Sequence, residues 1–156
     1  MHILVIGAGG MLGAKLLARL GKEGKLGGKA IARVTRYDAV IPPAPPASDY
    51  PVETFVGDLS AAGEPEKLIA GKPDVIFHLA AIVSGEAEKD FEKGYRINLD
   101  ATRILFEVIR KAGGGYKPKV IFTSSIAVFG APFPEAIGDE FFTTPLTSYG
   151  TQKAID

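Results

Sequence analysis

The sequence predicts an α/β protein built on a doubly wound parallel β-sheet, and three observations support this prediction. Short apolar runs bounded by turn residues recur along the 156 residues. Several of these runs are separated by segments whose apolar residues follow the period of a helix, as in βαβ units. The first run, residues 3–6, is continuous and β-branched, which is typical of a strand covered on both faces.

The predicted strands and helices alternate along the chain. Glycine-rich and proline-rich segments separate them, because glycine favours turns and proline cannot donate a ladder hydrogen bond. The predicted strands are residues 3–6, 30–37, 52–56, 74–77 and 120–122. The predicted helices are residues 11–20, 65–70, 86–112 and one that begins near Thr147 with Ser148 as its cap. The predicted loops include a glycine- and lysine-rich segment at 21–29 and a proline-rich connector at 41–51.

The composition excludes several classes of protein. Eighteen Lys and Arg balance eighteen Asp and Glu, so the chain lacks the basic excess of a nucleic-acid binder. The absence of cysteine excludes a disulfide scaffold, and two distant histidines do not favour a metal cluster. No apolar run is long enough for a signal peptide or a membrane span. We therefore expect a cytoplasmic protein without a metal, whose partner is a small molecule rather than nucleic acid or a membrane.

A glycine-rich loop lies between the first strand and the first helix, where the sequence reads Gly7-Ala8-Gly9-Gly10-Met11-Leu12-Gly13. Gly7 permits a tight turn, Gly10 lets the backbone approach a pyrophosphate, and Gly13 lets the helix lie close to the sheet. The phosphates would meet the free backbone N–H groups and the positive end of the helix dipole. This position of the glycines predicts a Rossmann-type dinucleotide-binding domain.

Two carboxylates follow the next strands. Asp38 ends the second strand, where it can accept hydrogen bonds from the ribose hydroxyls of NAD and would repel the 2′-phosphate of NADP. In the alternative interpretation Asp38 caps a turn, and Arg33 or Arg36 binds NADP. Asp58 follows the third strand and could lie near the adenine, although an Asp at a strand end is often a turn residue. We expect NAD as the cofactor.

Tyr149 and Lys153 are four residues apart at the start of the last predicted helix, so they lie on one face. A cation about 6 Å from a phenol favours the phenolate by ~3 kcal/mol at an effective dielectric constant of ~20. Ser125 follows the fifth strand, at the edge where α/β sheets bind ligands, and its hydroxyl could orient a substrate alcohol. Each feature alone is common by chance, but their combination behind a glycine loop indicates a catalytic set.

With these motifs the chain resembles the extended short-chain dehydrogenases/reductases, in the NAD-dependent epimerase/dehydratase branch. The resemblance covers essentially all 156 residues. The motifs that carry it are Gly7-x-x-Gly10-x-x-Gly13, Gly57-Asp58-Leu59, His78-Leu79-Ala80-Ala81, Ile97-Asn98-Leu99-Asp100-Ala101-Thr102, Ser124-Ser125 with Val128-Phe129-Gly130, and Tyr149-x-x-x-Lys153. Residues 82–86 and 122–134 are also similar to dehydrogenases of small sugar acids in that branch.

The resemblance implies a role for each matched residue. Ser125 would orient the substrate, Tyr149 would be the general base, and Lys153 would hold the nicotinamide ribose. Ser84 would bind substrate with Ser125 and Tyr149, although a helix-capping role suits Ser84 equally well. His78 is better explained as a structural residue at a strand end. The implied cofactor-binding residues are Gly7, Gly10, Met11, Leu12, Gly13, Asp38, Asp58, Leu59, Leu79, Ala80, Ala81, Asn98, Tyr149 and Lys153.

The resemblance also implies a function and an assembly. The favoured hypothesis is an NAD-dependent dehydrogenase that oxidises the 2-hydroxyl of a small sugar acid such as D-erythronate to the 2-oxo acid. The alternatives are a nucleotide-sugar epimerase or dehydratase that reduces NAD transiently, and a non-catalytic dinucleotide-binding module. Members of the family often pair as homodimers, through the helix at 86–112 and the helix that begins at Tyr149.

The sequence also bears on domain organisation. The fifth strand, residues 120–122, would normally be flanked by a further strand, and nothing follows the last predicted helix to bury it. We therefore expect residues 1–156 to be the N-terminal part of an NAD-binding Rossmann domain, whose sheet is truncated after the fifth strand and the start of the next helix. The C-terminal substrate-binding portion would be absent from the chain, so we expect these residues alone to bind NAD weakly and to catalyse no turnover.

Overall fold

A computed structural model describes all 156 residues, which form two compact units. Unit 1 comprises Met1–Ala80 and Leu105–Thr123, and unit 2 comprises Ala81–Ile104 and Ser124–Asp156. The elements in chain order are β1 (His2–Ile6), α1 (Met11–Glu23), β2 (Lys25–Leu26), β3 (Lys29–Ala30), β4 (Arg33–Asp38), β5 (Val52–Val56), α2 (Glu64–Ala70), β6 (Val75–His78), α3 (Ser84–Lys89), α4 (Phe91–Gly94), a π-helix (Tyr95–Asp100), α5 (Ala101–Lys111), β7 (Lys119–Phe122), a 3-10 helix (Ile126–Val128) and α6 (Ser148–Ile155). None of the helices combines the length and apolar character that crossing a membrane requires.

Unit 1 contains a five-stranded sheet in the order β5-β4-β1-β6-β7, and every neighbouring pair is parallel. All residues of β1 are buried, because this strand lies at the centre of the sheet. The predicted parallel α/β fold is therefore confirmed. The strand order reverses beside β1, and in open α/β sheets such a reversal forms a ligand-binding crevice at the carboxyl ends of the strands, here β1 and β6.

The predicted loop over residues 21–29 is partly wrong. Helix α1 continues to Glu23 and ends where Gly24 adopts a left-handed conformation and donates its N–H to the Leu20 carbonyl. A short antiparallel hairpin of β2 and β3 follows. Its turn is formed by Gly27 and Gly28, both with positive φ, because two such residues fit a tight hairpin turn. Strand β4 consequently starts three residues later than the predicted strand at 30–37.

The prediction of one continuous helix over residues 86–112 is partly wrong, because the structure ends α3 at Lys89, although α4, the π-helix and α5 then follow one another without a break from Phe91 to Lys111. Asp90 interrupts it with φ of −130° and ψ of 86°. The Asp90 side chain accepts a hydrogen bond from the Lys93 N–H at 3.0 Å and so starts a new helix. The π-helix follows directly, and such wide turns accommodate an extra residue. Apolar spacing alone did not reveal either feature.

The predicted cap of the last helix is also wrong. Thr147 caps α6, because its hydroxyl accepts a hydrogen bond from the Gly150 N–H at 3.0 Å. Ser148 is instead the first residue of α6, and its hydroxyl donates to Glu88 at 2.7 Å. The capping alternative for Ser84 fails similarly, because Val83 is the residue at the cap of α3 and no side chain caps that helix.

Candidate functional site

The glycine loop of unit 1 lies directly against the backbone that follows β6. Gly7 has φ of 89°, and a Cβ there would lie 2.6 Å from the Ala80 nitrogen and 2.8 Å from the Leu79 carbonyl carbon. Only a residue without a side chain fits this position. The structure thus brings Gly7 together with Leu79 and Ala80, two of the predicted cofactor-binding residues, whereas the next one, Ala81, belongs to unit 2.

The N-terminus of α1 is suited to bind an anion. Gly10 occupies the cap position, no side chain caps the helix, and its first turn contains no acidic residue. Gly10, Met11 and Leu12 are exposed, whereas Gly13 is buried so close to the loop that a Cβ would lie 2.2 Å from the Gly7 carbonyl oxygen. Exposed backbone N–H groups at the positive end of a helix dipole favour a phosphate.

The Asp38 carboxylate lies at this loop. Its Oδ2 accepts a hydrogen bond from the Gly9 N–H at 2.8 Å. The backbone carbonyl of Asp38 accepts from the Gly57 N–H at 3.0 Å, which places the segment 57–59 beside the end of β4. Asp58 Oδ1 accepts from both the N–H and the hydroxyl of Ser60, so Asp58 closes a turn, and Leu59 is buried. A carboxylate acceptor therefore lies next to the glycine loop.

The structure does not support the alternative in which Arg33 or Arg36 binds a 2′-phosphate. Arg36 is only 4% exposed, and its guanidinium donates to the Thr54 hydroxyl and the Pro43 carbonyl. Arg33 lies at the other end of β4 from Asp38, where its Nη2 donates to the Gly71 carbonyl at 2.9 Å. Burial lowers the pKa of Arg36. Both guanidinium groups are therefore engaged within the protein.

In unit 2, α6 carries Tyr149 and Lys153 one helical turn apart, as the spacing predicts. Tyr149 is half-buried, whereas Lys153 is only 4% exposed. Burial lowers the pKa of the Lys153 ammonium, and the Asp156 carboxylate partly opposes this shift. The helix approaches the 3-10 helix through Gly150, where a Cβ would lie 2.2 Å from the Ala127 carbonyl oxygen.

The two serines that follow β7 contact different partners in unit 2. Ser125 precedes the 3-10 helix, and its Oγ accepts a hydrogen bond from the Ala127 N–H at 3.2 Å. Ser124 donates its hydroxyl to the Lys153 carbonyl at 3.1 Å and so connects this segment to α6. The structure therefore brings the segment of Ser124 and Ser125 close to the first turn of α6. Ser124 bonds this helix directly, and Gly150 permits close packing.

Asn98 lies in the π-helix and is fully buried. Its Oδ1 accepts from the Ile82 N–H at 2.9 Å, and its Nδ2 donates to the Ile82 carbonyl at 3.1 Å. The same Nδ2 donates to Oε1 of Gln152 at 2.8 Å. Asn98 therefore connects the loop after residue 81 to α6. The sequence did not single out Gln152, because a polar residue on a helix is usually exposed, whereas this side chain is completely buried.

Glu88 is a second residue that the sequence did not reveal. Its carboxylate oxygen Oε1 accepts from the Ser148 hydroxyl at 2.7 Å and from the Tyr149 N–H at 3.0 Å. The hydrogen bond from the Tyr149 backbone, followed by that from Ser148, lowers the pKa of Glu88. An acidic group at a helix N-terminus stabilises the helix, so Glu88 on α3 helps to fix the first turn of α6.

The remaining predicted residues have simpler surroundings. Ser84 is exposed at the start of α3. His78 is 1% exposed at the end of β6, where its ring packs edge-on against Phe122 with centroids 5.5 Å apart. This environment fits a structural histidine. No three His, Asp or Glu side chains converge as the ligands of a metal ion would.

The chain belongs to the NAD dependent epimerase/dehydratase family, whose profile matches residues 3–155. It is 42% identical over 159 residues to the D-erythronate dehydrogenase of Cupriavidus necator and 38% identical over 155 residues to that of Haemophilus influenzae. Each match covers 99% of this chain, but only 48% and 47% of the two relatives. The resemblance that the motifs indicate is therefore confirmed.

A solved structure is similar over the same range. The nucleoside-diphosphate-sugar epimerase from Agrobacterium tumefaciens is 65% identical and superposes with a TM-score of 0.96, covering 99% of this chain and 46% of that one. The chain thus spans about half the length of the relatives that it matches.

Proposed function

We propose that these residues are the N-terminal part of an NAD-dependent dehydrogenase that oxidises the 2-hydroxyl of a small sugar acid, such as D-erythronate, to the 2-oxo acid. The observation that carries this proposal is the turn of α6 that carries Tyr149 and a buried Lys153, in a chain 42% and 38% identical to two D-erythronate dehydrogenases. We also propose that a C-terminal portion supplies most of the substrate pocket and that the complete protein is a homodimer in the cytoplasm.

The residues of unit 1 fit a dinucleotide. The exposed N–H groups that follow Gly10 would bind the pyrophosphate, because no side chain covers the start of α1. The Asp38 carboxylate would exchange its hydrogen bond from Gly9 for the ribose hydroxyls. Leu59, Leu79 and Ala80 would line the cofactor. Bound NAD would supply the acceptor for the hydride that leaves carbon 2 of the substrate.

The residues of unit 2 fit the proton transfer. Tyr149 would take the proton of the substrate hydroxyl as the C2–H bond breaks, so that the alcohol becomes a ketone. Lys153, one turn further along α6, would hold the nicotinamide ribose. Ser125 would donate its hydroxyl to the substrate oxygen while its Oγ accepts from Ala127.

The test is a screen of four- to six-carbon hydroxy acids for NAD reduction by the full-length protein, followed by Tyr149→Phe. We expect this variant to lose turnover by about 10³-fold, the contribution of a general base, and to keep its affinity for NAD. Tyr95→Phe removes a hydroxyl from the π-helix and should leave turnover unchanged. Retained turnover in Tyr149→Phe would exclude this residue as the base.

A second candidate function is nucleotide-sugar epimerisation, supported by the 65% identity to a structure described as a nucleoside-diphosphate-sugar epimerase. An epimerase reduces NAD only transiently and regenerates it within one cycle. Cofactor that copurifies with the protein, together with interconversion of nucleotide sugars and no net NADH from hydroxy acids, would favour this function. NAD binding without either activity would instead indicate a non-catalytic dinucleotide-binding module.

A further inference from the structure

Arg36 is a buried cation for which the proposed chemistry has no use. Its side chain is 4% exposed in the middle of β4, and all of its hydrogen bonds go to neutral oxygens. A buried charge is costly unless its donors are satisfied, so its position requires an explanation. We propose that Arg36 is a positioning residue for cofactor selectivity, which holds the Pro42–Pro43 segment against Asp38 and so excludes dinucleotides with a 2′-phosphate. This inference rests on the proposed function of Asp38 as the ribose acceptor.

The guanidinium joins the neighbouring strand to the proline-rich loop. Nε and Nη2 donate to the Thr54 hydroxyl on β5 at 3.1 and 2.7 Å, and Nη1 donates to the Pro43 carbonyl at 2.7 Å. Residues 36 and 38 lie on the same face of β4, because side chains alternate along a strand. The hydrogen bond from Arg36 to Pro43 therefore holds the loop that follows Asp38 against one face of β4. The Asp38 side chain lies on this same face.

Pro42 lies where this loop meets the glycine loop. A Cβ built on Gly9 would lie 3.1 Å from Oδ2 of Asp38 and 3.7 Å from the Pro42 Cα. The Gly9 N–H donates to that same Oδ2 at 2.8 Å, and Pro42 is buried. Gly9, Asp38 and Pro42 therefore meet at one point, so a substituent on a ribose hydroxyl bound by Asp38 would contact the proline segment.

The Pro42–Pro43 segment offers a phosphate nothing to bind. A phosphate requires N–H donors or cations, and neither Pro42 nor Pro43 has a backbone N–H. The guanidinium of Arg36 is buried and directs its donors to Thr54 and Pro43 instead. A free 2′-hydroxyl needs only the acceptor that Asp38 provides. The segment thus discriminates by lacking donors, in addition to the negative charge of Asp38.

The test compares Arg36→Met with Arg33→Met in the full-length protein, with NAD and NADP dissociation constants measured by calorimetry. Both variants lose one positive charge, which by itself would weaken NADP binding. We expect Arg36→Met to release the loop and lower the ratio of the NADP to the NAD constant about fivefold, the factor for one tethering hydrogen bond. Arg33→Met, which lies at the far end of β4, should not lower the ratio.

Circular dichroism establishes whether Arg36→Met is folded. If it is folded, a ratio that stays constant or rises overturns the inference. If it is unfolded, the double variant Pro42→Gly/Pro43→Gly replaces it in the test, because this variant frees the loop and introduces two N–H donors without altering Arg36. A lower ratio of the NADP to the NAD constant then supports the inference. An unchanged or higher ratio overturns it. Wild-type protein that binds no NAD would instead refute the proposed function itself.

Discussion

The glycine loop of unit 1 and helix α6 of unit 2 are fixed by different kinds of contact. The glycine loop depends on the absence of side chains, since a Cβ on Gly7 or Gly13 would overlap neighbouring backbone. Helix α6 depends on side-chain hydrogen bonds from outside the helix, including those of Glu88 and Asn98. The first arrangement is local and backbone-determined, whereas the second is assembled from residues about 50 to 60 positions apart in sequence.

The largest effect is expected at Gly7. Gly7→Ala should lower the free energy of unfolding by about 3 kcal/mol, because both the left-handed backbone and the overlap with Ala80 are penalised. Gly85→Ala is the control, since no atom lies within 4 Å of its Cβ position. Denaturant-induced unfolding measures both. Equal stabilities of the two variants would show that backbone overlap does not determine the glycine loop.

Gln152→Met tests the side-chain contacts of unit 2. The substitution keeps the volume but leaves one hydrogen of the buried Asn98 amide without an acceptor, so we expect a loss of about 2 kcal/mol. Thr151→Val removes a hydroxyl on the same helix and should cost less than ~1 kcal/mol. Thermal or denaturant-induced unfolding distinguishes the two. Similar losses would mean that the Asn98 contact does not help to fix α6.

Asp38→Ala removes a side chain beside the glycine loop, whereas Gly7→Ala adds one. The ratio of the NADP to the NAD dissociation constant should fall about tenfold, as expected for loss of a charged hydrogen-bond acceptor. Asp49→Ala is a charge-matched control in the proline-rich loop. If Asp38→Ala preserves the discrimination, another residue recognises the ribose.

Glu88→Gln should have the smallest effect, and this effect depends on pH. The hydrogen bonds from Tyr149 and Ser148 lower the pKa of Glu88 in the folded state. Its stabilising contribution is therefore present above the unfolded-state pKa of about 4.3 and is lost as the pH falls through the folded-state value. The difference in melting temperature between wild type and Glu88→Gln should be positive at pH 7 and disappear in acid. Glu135→Gln, at an exposed position outside the helices, is the matched control.

The sequence predicted the parts of the fold that depend on local patterns. The strands of the sheet and the glycine loop follow from β-branched runs and from glycines at 7, 10 and 13. The break at Asp90 was missed because the apolar pattern continues across it, while the capping hydrogen bond to Lys93 depends on backbone geometry. The cap was assigned to Ser148 rather than Thr147 because two adjacent hydroxyl residues are equivalent in sequence.

The sequence likewise predicted only those parts of the candidate site that depend on local spacing. Tyr149 and Lys153 share one turn of α6, as the spacing of four residues requires. The contacts of Gln152 and Glu88 were not predictable, because each partner lies on another element and no local pattern encodes the pairing. The engagement of Arg36 with Pro43 was missed for the same reason, although the two residues are only seven apart.

The π-helix Tyr95–Asp100 makes its segment sensitive to insertions and deletions as well as to substitutions. A π-helix holds about one residue more than the same stretch of α-helix, so deletion of one residue here would convert the segment to a regular α-helix and remove the wide turn that carries Asn98. Asn98 would then lose the position from which it bonds the backbone of Ile82. Homologous proteins should therefore vary in the composition of this segment while keeping its number of residues.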